Sequence, residues 1–270
     1  MKPKTLVLTG DGINCDEETA FAFTQAGARA EIVHTNDLAD SRIKLDDYQI
    51  LAFPGGFSFG DDTGAGNALA NKIRNHLFDD VLKFIEKDKL IIGICNGFQA
   101  ITNLGLLPAF DGKYGKRQVA LVHNDNPRYN ARWVDLQFFG NLLIRDSPWT
   151  LGIEKISLPI AHGEGKFYAD RDTLRQINRK QLVAARYIDG EICKYQGLEP
   201  NPNGSLENIA AITDESGRIL GMMPHPERAI NFTQLPNWPF LKEKYRTEGK
   251  EIPEEGPGLE IFRNAVRYFE

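Results

Sequence analysis

The stretch LIIGICNGFQ, residues 90–99, restricts the possible folds more than any other part of the sequence. Residues 90–94 predict a buried β-strand, and the residues that follow predict a helix. Cys95 lies at the junction, with Gly93 two residues before it and Gly97 two residues after it, which is the spacing of a nucleophile elbow. The pattern predicts an α/β protein in which the helix N-terminus favours a Cys95 thiolate. The alternative is a cysteine that is merely buried and packed.

The first half of the chain alternates short apolar runs with helical patterns, which is typical of a mostly parallel sheet covered by helices. Strands are predicted at residues 5–9, 30–33, 50–53 and 90–94, and helices near 17–25, 66–76 and 79–87. The later pattern predicts strands without intervening helices, at 119–123, 132–138, 182–187, 209–213 and 219–223. We therefore expect an α/β fold with an open, mostly parallel sheet flanked by helices and a β-rich second half.

The end of the chain is predicted to be less regular. Residues 231–257 are rich in proline, tryptophan and charge, which favours an irregular surface segment before a closing helix at 259–268. No repeat, low-complexity tract or flexible linker marks a boundary. Residues 1–270 are therefore predicted to form a single domain.

Composition excludes several classes of protein. The 270 residues are 41% hydrophobic, 26% charged and 10% aromatic, which is typical of a globular protein. The net charge of −5 comes without the basic stripe that a nucleic-acid partner would need. The start of the chain is too briefly apolar for a signal peptide or a membrane span, so we expect a cytoplasmic protein. Three widely spaced cysteines favour neither a disulfide framework nor a metal site, so we expect no metal.

A base for Cys95 is predicted in the segment GMMPHPER, residues 221–228. Prolines on both sides of His225 limit its backbone freedom at the end of a predicted strand. His225 can take a proton from a thiol and return it to a leaving amine, and Glu227 can fix the tautomer of its ring. The alternative is a histidine that only caps the end of the sheet.

Two glycine-rich segments predict contact between backbone and ligand. The third strand stops at Pro54-Gly55-Gly56, where backbone N–H groups, together with that of Asn96, can form an oxyanion site. The segment AHGEG, residues 161–165, also favours a close approach of backbone to a ligand; its H-x-E pattern lacks the second half of a zinc deaminase signature. Residues 10–15 match a dinucleotide-binding pattern only weakly, and the sequence contains no P-loop.

Five motifs together resemble one family. PGGFSFGDD, GICNGFQ, PIAHGEGKF, NPNGSLENIA and GMMPHPER are similar to the glutaminase subunits of phosphoribosylformylglycinamidine synthase, which are class I glutamine amidotransferases of purine biosynthesis. The resemblance implies a catalytic triad of Cys95, His225 and Glu227 that releases ammonia from glutamine through a γ-glutamyl thioester. It also implies oxyanion donors at Gly56, Phe57 and Asn96. Residues of the glutamine pocket are implied at Gln99, His162, Gly163 and Glu164.

The same resemblance implies a partner. Ammonia would pass to a synthetase subunit that uses ATP and Mg to make the formylglycinamidine ribonucleotide, and a third small subunit is a further expected partner. No cofactor is expected in this chain itself. Residues 63–66, 147–149 and 231–257 resemble the glutaminase domain of fused synthetases more than a short separate subunit. Two alternatives stay open at this point: a class I amidotransferase serving another synthetase, and a catalytically silent subunit that binds a partner.

Overall fold

The computed structural model describes residues 2–139 and 147–270. The strands are β1 Lys4–Thr9, β2 Arg29–His34, β3 Ile50–Phe53, β4 Leu90–Ile94, β5 Ala120–His123, β6 Asn130–Phe138, β7 Lys155–His162, β8 Glu164–Tyr168, β9 Val183–Ile188, β10 Ile209–Thr213 and β11 Ile219–Met222. The α-helices are α1 Asp16–Gln25, α2 Thr35–Ala39, α3 Asn67–His76, α4 Phe78–Glu86, α5 Asn96–Asn103, α6 Arg171–Arg179, α7 Glu191–Gln196, α8 Trp238–Thr247 and α9 Leu259–Arg267.

A large open sheet organises the described residues. Nine strands lie in the order β2-β1-β3-β4-β11-β10-β9-β6-β7, and β5 and β8 form a separate pair. The neighbours from β2 to β11 are parallel, and those from β11 to β7 are antiparallel. The predicted α/β class is confirmed, with a parallel first half and a β-rich second half.

Burial explains why the parallel half forms where it does. Every residue of β3 and of β4 is buried, as expected for parallel strands that helices cover on both faces. Helix α9 packs against α1. Its Phe262 lies edge to face against Phe23 of α1, at a centroid distance of 4.9 Å. The predicted closing helix is therefore part of the core.

Three adjacent strands bring their carboxyl ends to one edge of the sheet. β3, β4 and β11 are parallel neighbours, and Ile94 is in register with Met222. Ligands of open α/β sheets bind outside the carboxyl ends of such strands. The segments that follow these three strands carry the PGG loop, Cys95 and His225, so the topology brings the main predicted site motifs together.

The prediction that no helices separate the later strands was wrong. Helices α6 and α7 lie there, and α6 begins at a recognisable cap, since the Asp170 side chain accepts hydrogen bonds from the N–H groups of Asp172 and Thr173. Ile177 of α6 is buried and Leu174, three residues before it, packs against the core; an apolar face of only two residues is a weak signal for a sequence-based assignment.

Two further assignments were wrong. Residues 161–165, whose glycines predict a loop, instead join β7 to β8, two strands that the sequence pattern does not predict; Pro159 is accommodated because β7 is an edge strand. Residues 238–247, predicted to be irregular, form α8, which has a proline in its first turn and no buried residue. The single-domain assignment, which extends over positions outside the described ranges, stays a prediction. Among the described residues, no helix is long and apolar enough to span a bilayer.

Candidate active site

Cys95 sits on a strained turn between β4 and α5. Its backbone has φ 52° and ψ −108°, outside the conformations that residues with a side chain usually adopt. A β-carbon on Gly97 would lie 1.8 Å from the Phe53 carbonyl oxygen, and one on Gly93 would lie 2.7 Å from the Gly97 carbonyl oxygen. Both glycines are therefore required for the close approach of strand and helix, which is the steric reason expected from the spacing.

Adjacent strand ends bring Cys95 and His225 into one small cavity. The N–H of Cys95 donates to the Met222 carbonyl at 2.8 Å, so the chain after β11 begins beside the cysteine. His225 N–H donates to the Pro159 carbonyl at 2.8 Å, and the Cys95 thiol donates to the Ala161 carbonyl at 3.6 Å. Both side chains line a cavity of about 40 Å³. Two backbone carbonyls of strand β7 thus contact both residues of the site.

His225 and Glu227 form a buried pair. The Nδ1 atom of His225 lies 2.6 Å from Glu227 Oε1, and the two side chains are 2% and 0% exposed. Burial lowers the pKa of His225, but the charges of Glu227 and Cys95 outweigh it, so the pKa is raised well above its ordinary value of 6.5. Nε2 has no hydrogen-bond partner in the part of the chain that the structure describes. The ring is therefore held at Nδ1 and free at the atom that can exchange a proton with a thiol or an amine.

The three predicted oxyanion donors differ in their availability. Phe57 N–H donates to the Gly12 carbonyl at 2.7 Å, within an antiparallel bridge between Ile13 and Gly56. That amide is engaged, so the structure does not offer it to an oxyanion, contrary to the expectation. The Gly56 N–H takes no part in this bridge. The N–H of Asn96, the first residue of α5, has no acceptor within the helix.

Gln99 and Glu164, both predicted in the glutamine pocket, contact each other. Gln99 Nε2 donates to the Glu164 carbonyl, and Gln99 Oε1 accepts from Asn96 Nδ2 at 2.9 Å. The Glu164 carboxylate accepts from Ala65 N–H at 3.2 Å. Asn96 Nδ2 also donates to Asp61 at 3.0 Å. The structure thus joins helix α5, the loop before α3 and strand β8 beside the cysteine, although both polar groups of the Gln99 amide already have internal partners.

His162 is held neutral. It is 2% exposed, and burial lowers its pKa to about 3. Its Nδ1 lies 3.2 Å from Asn124 Oδ1, which requires that Nδ1 carries the proton. Gly163 lies next to it, and its carbonyl accepts from the N–H of Asn124 at 3.0 Å. Asn124, which fixes the ring of His162, was not predicted from the sequence.

The sequence analysis also missed three residues at the cavity. Cys15 is 1% exposed, and burial raises the pKa of its thiol. Arg228 Nη2 donates to Cys15 Sγ at 3.0 Å, and both residues line the same cavity as Cys95. Tyr129 lies at the mouth, with its ring centroid 6.0 Å from that of Phe57. Arg228 could have been found from the sequence, because it belongs to the GMMPHPER motif. No sequence motif points to Cys15 or Tyr129.

Comparisons with known proteins agree with this geometry. Residues 2–269 match the family described as CobB/CobQ-like glutamine amidotransferase domain. A Methanococcus maripaludis protein named phosphoribosylformylglycinamidine synthase subunit PurQ is 49% identical over 99% of this chain and 97% of its own length. A Dehalococcoides mccartyi protein of the same name is 42% identical over 99% and 98%.

A solved structure described as PurLQS from Thermotoga maritima also matches, with a TM-score of 0.72, 31% identity and full coverage of both chains. Because the chain matches separate subunits over almost their whole length, the segments that resembled a fused synthetase give no reason to assign it to a fusion. The chain belongs to the glutamine amidotransferase family of phosphoribosylformylglycinamidine synthase PurQ subunits.

Proposed function

We propose that this chain is the glutaminase subunit of phosphoribosylformylglycinamidine synthase and that Cys95, His225 and Glu227 hydrolyse glutamine. The observation that carries the proposal is the shared cavity of Cys95 and His225, with His225 Nδ1 held 2.6 Å from a buried Glu227. A nucleophile, a base and a group that orients the base are the three parts that acyl transfer needs.

Hydrolysis follows in two steps. The Cys95 thiolate attacks the side-chain amide carbon of glutamine, and the negative charge moves to the amide oxygen. Protonated His225 gives its Nε2 proton to the leaving nitrogen, the carbon–nitrogen bond breaks, and ammonia departs from a γ-glutamyl thioester. His225, now neutral, then takes a proton from water, whose oxygen attacks the thioester and releases glutamate and the thiolate.

The oxyanion is proposed to be bound by backbone groups. Gly56 and Asn96 supply the N–H donors, because the Phe57 N–H is already bonded to Gly12. Phe57 instead contributes its ring to the mouth of the cavity, together with Tyr129. Fixed N–H donors are worth about 3–4 kcal/mol each in related chemistry, because they need no reorganisation when the charge develops.

Substrate selection is assigned to the residues around α5. Gln99, His162, Gly163 and Glu164 are proposed to bind the amino acid end of glutamine, with Glu164 facing its ammonium. Gln99 can bind the substrate when the substrate replaces one of the internal hydrogen-bond partners of its side-chain amide. Neutral His162 adds no charge beside the glutamine pocket, so the carboxylate of Glu164 retains its attraction for an ammonium.

Partners are proposed from the relatives. Two relatives are named as subunits of phosphoribosylformylglycinamidine synthase, and the Thermotoga maritima structure is described as PurLQS. We propose that this chain likewise passes ammonia to a synthetase subunit, with a third small subunit in the complex, and that ATP and Mg are bound by the synthetase. The alternative of another synthetase lacks support, since these relatives carry a single name.

The test is direct detection of the thioester. The complete complex is mixed with isotopically labelled glutamine, quenched in acid during turnover, and the peptide containing Cys95 is weighed by mass spectrometry. We expect a γ-glutamyl adduct on Cys95 that disappears when glutamine is exhausted. Label on Cys15 or Cys193, or turnover without any adduct in rapidly quenched samples, would contradict the assignment.

A further inference from the structure

The side chain of Asn96 joins the two segments that carry the proposed oxyanion donors. It is 1% exposed; its Oδ1 accepts from the Ser58 N–H at 3.0 Å, and its Nδ2 donates to Asp61 Oδ1 at 3.0 Å. The remaining N–H of the amide donates to Gln99 Oε1 at 2.9 Å. Because a backbone N–H only donates and an ionised carboxylate only accepts, these partners fix the orientation of the amide.

The backbone does not supply this connection. The parallel pairing of β3 with β4 ends at Phe53, and beyond it the backbone hydrogen bonds that residues 54–61 make to distant segments run to residues 10–15. In the part of the chain that the structure describes, no backbone hydrogen bond joins residues 54–61 to α5. The N–H groups of Gly56 and Asn96 therefore lie on two segments whose separation depends on side-chain contacts.

Asp61 reaches Asn96 through an unusual stretch of backbone. Phe59, Gly60 and Asp61 have φ angles of 53°, 71° and 55° in succession, and residues with a side chain rarely adopt this left-handed conformation. The stretch belongs to the short 3-10 segment Ser58–Asp61. Its first residue donates to the Asn96 amide and its last residue accepts from it, so both ends of the segment bind one buried side chain.

We propose that Asp61 is a positioning residue that acts through Asn96 on the oxyanion donors. Its hydrogen bond holds residues 54–61 against α5 and thereby sets the separation of the Gly56 and Asn96 N–H groups. A donor stabilises an oxyanion when it lies about 2.7–3.1 Å from it, so both donors act together only at a suitable separation. The inference rests on the proposed function, because the oxyanion forms only during attack on glutamine and on the thioester.

Steady-state glutaminase kinetics of Asp61→Ala in the complete complex test this role. Loss of a donor outright costs about 10²–10³ in kcat, and a displacement of about 1 Å costs roughly 100-fold. We therefore expect kcat to fall about 10- to 100-fold with KM little changed, since the donors act on charge that develops only in the transition state. Asp62→Ala, at an exposed neighbouring carboxylate, is the matched control and should follow the wild type.

Asp61→Asn separates a hydrogen bond from a charge. Its side-chain carbonyl can still accept from Asn96, so this variant should recover most of the kcat that Asp61→Ala loses. Equal losses in the two variants would show that the negative charge acts directly, and would overturn the proposal. Asp61→Ser is the second variant if Asp61→Ala does not fold, because its shorter side chain also loses the contact but stays polar on this half-buried turn.

Alkylation of Cys95 by iodoacetamide separates positioning of the donors from damage to the nucleophile. The thiolate displaces iodide from a saturated carbon, so no oxyanion forms and the rate in Asp61→Ala should equal that of the wild type. A parallel fall in alkylation and in glutamine turnover would show that the variant alters Cys95 itself, and would overturn the proposal.

Asn96→Ala removes the same hydrogen bond from its other end and keeps the backbone N–H. The double variant with Asp61→Ala should be no slower than Asn96→Ala alone, because residues that act through one contact give losses that do not add. Additive losses would overturn the proposal. A wild-type kcat in Asp61→Ala, with the γ-glutamyl adduct still formed on Cys95, would also overturn it and would leave the proposed function intact.

Discussion

The imidazole of His225 packs directly against Gly55, so closely that a β-carbon on that glycine would lie 2.7 Å from Cε1. Gly55 does not have a positive φ, so its backbone is open to any residue; the ring excludes a side chain, together with Cys15 Sγ, which would lie 3.1 Å from the same β-carbon. The glycine of the PGG loop therefore determines where the proposed base lies relative to Cys95.

Gly55→Ala should lower kcat for glutamine while the fold is kept. The added methyl group forces the ring out of its position, and a displacement of about 1 Å can cost roughly 100-fold in rate. Steady-state glutaminase kinetics in the complex measure the loss, and synthesis from added ammonium in the same sample is the control. A wild-type kcat would mean that the position of the ring is not critical.

Glu227→Gln should slow thioester formation without unfolding the chain. An amide can hold His225 in the wrong tautomer, and by analogy with serine triads the loss can reach about 10⁴-fold. A thiolate at a helix N-terminus needs less help from the base, so the loss should fall below that limit. Single-turnover measurement of the Cys95 adduct tests this. If the rate is unchanged, Glu227 has no part in the mechanism.

Gln99→Ala and Glu164→Ala should raise KM and leave kcat little changed. A contact made equally in the ground and transition states contributes only to binding, and a hydrogen bond to a charged group is worth about 1.5–3 kcal/mol, or roughly 10- to 150-fold in affinity. Glu164→Gln is the matched control, since it can still accept from Ala65 N–H but lacks the charge. A normal KM in Glu164→Gln would mean that Glu164 only holds the loop before α3 in place. A large fall of kcat in the alanine variants would place these residues in catalysis.

His162 should make the fold sensitive to acid. Its pKa is about 3 in the folded chain and near 6.5 when unfolded, so unfolding takes up a proton between these values. The contribution of His162 to stability is therefore present above pH 6.5 and is lost as the pH falls, by roughly 1.4 kcal/mol per pH unit. The pKa of His225 is raised, so its own contribution is fully present over this range and is lost only at higher pH.

Denaturant unfolding of His162→Asn tests this dependence. Asparagine can still donate to Asn124, and the free energy of unfolding should fall less steeply below pH 6.5 than in the wild type. His76→Asn, at an exposed position, is the control and should follow the wild type. Equal slopes for His162→Asn and the wild type would show that His162 is not buried in its neutral form.

The common location of the proposed site residues could be predicted because the segments that carry them follow strands with clear patterns. Phe53, Ile94 and Met222 end three strands whose apolar runs are short and unambiguous, and parallel neighbours bring their carboxyl ends together. Local sequence was therefore enough to place the PGG loop, Cys95 and His225 at one edge of the sheet. Helix α8 was missed for the opposite reason, since none of its residues is buried and charged residues interrupt its apolar ones.

Contacts between distant segments could not be predicted in the same way. Cys15 and Arg228 are 213 positions apart and meet only because the loop after β1 bridges to the PGG loop after β3. The same bridge occupies the Phe57 N–H, which the motif alone presents as a free donor. Whether an amide N–H is free to bind an oxyanion depends on the segment that pairs with it, and a single sequence does not show that pairing.

Separation of the two sources of ammonia in the complete complex tests the central claim most directly. Cys95→Ala should abolish formylglycinamidine ribonucleotide synthesis from glutamine, because no thioester can form, and should leave synthesis from added ammonium at the wild-type rate. Cys193→Ala, which removes a buried thiol elsewhere, should retain both rates. Loss of both rates in Cys95→Ala, or retention of glutamine-dependent synthesis, would contradict the assignment of Cys95 as the nucleophile.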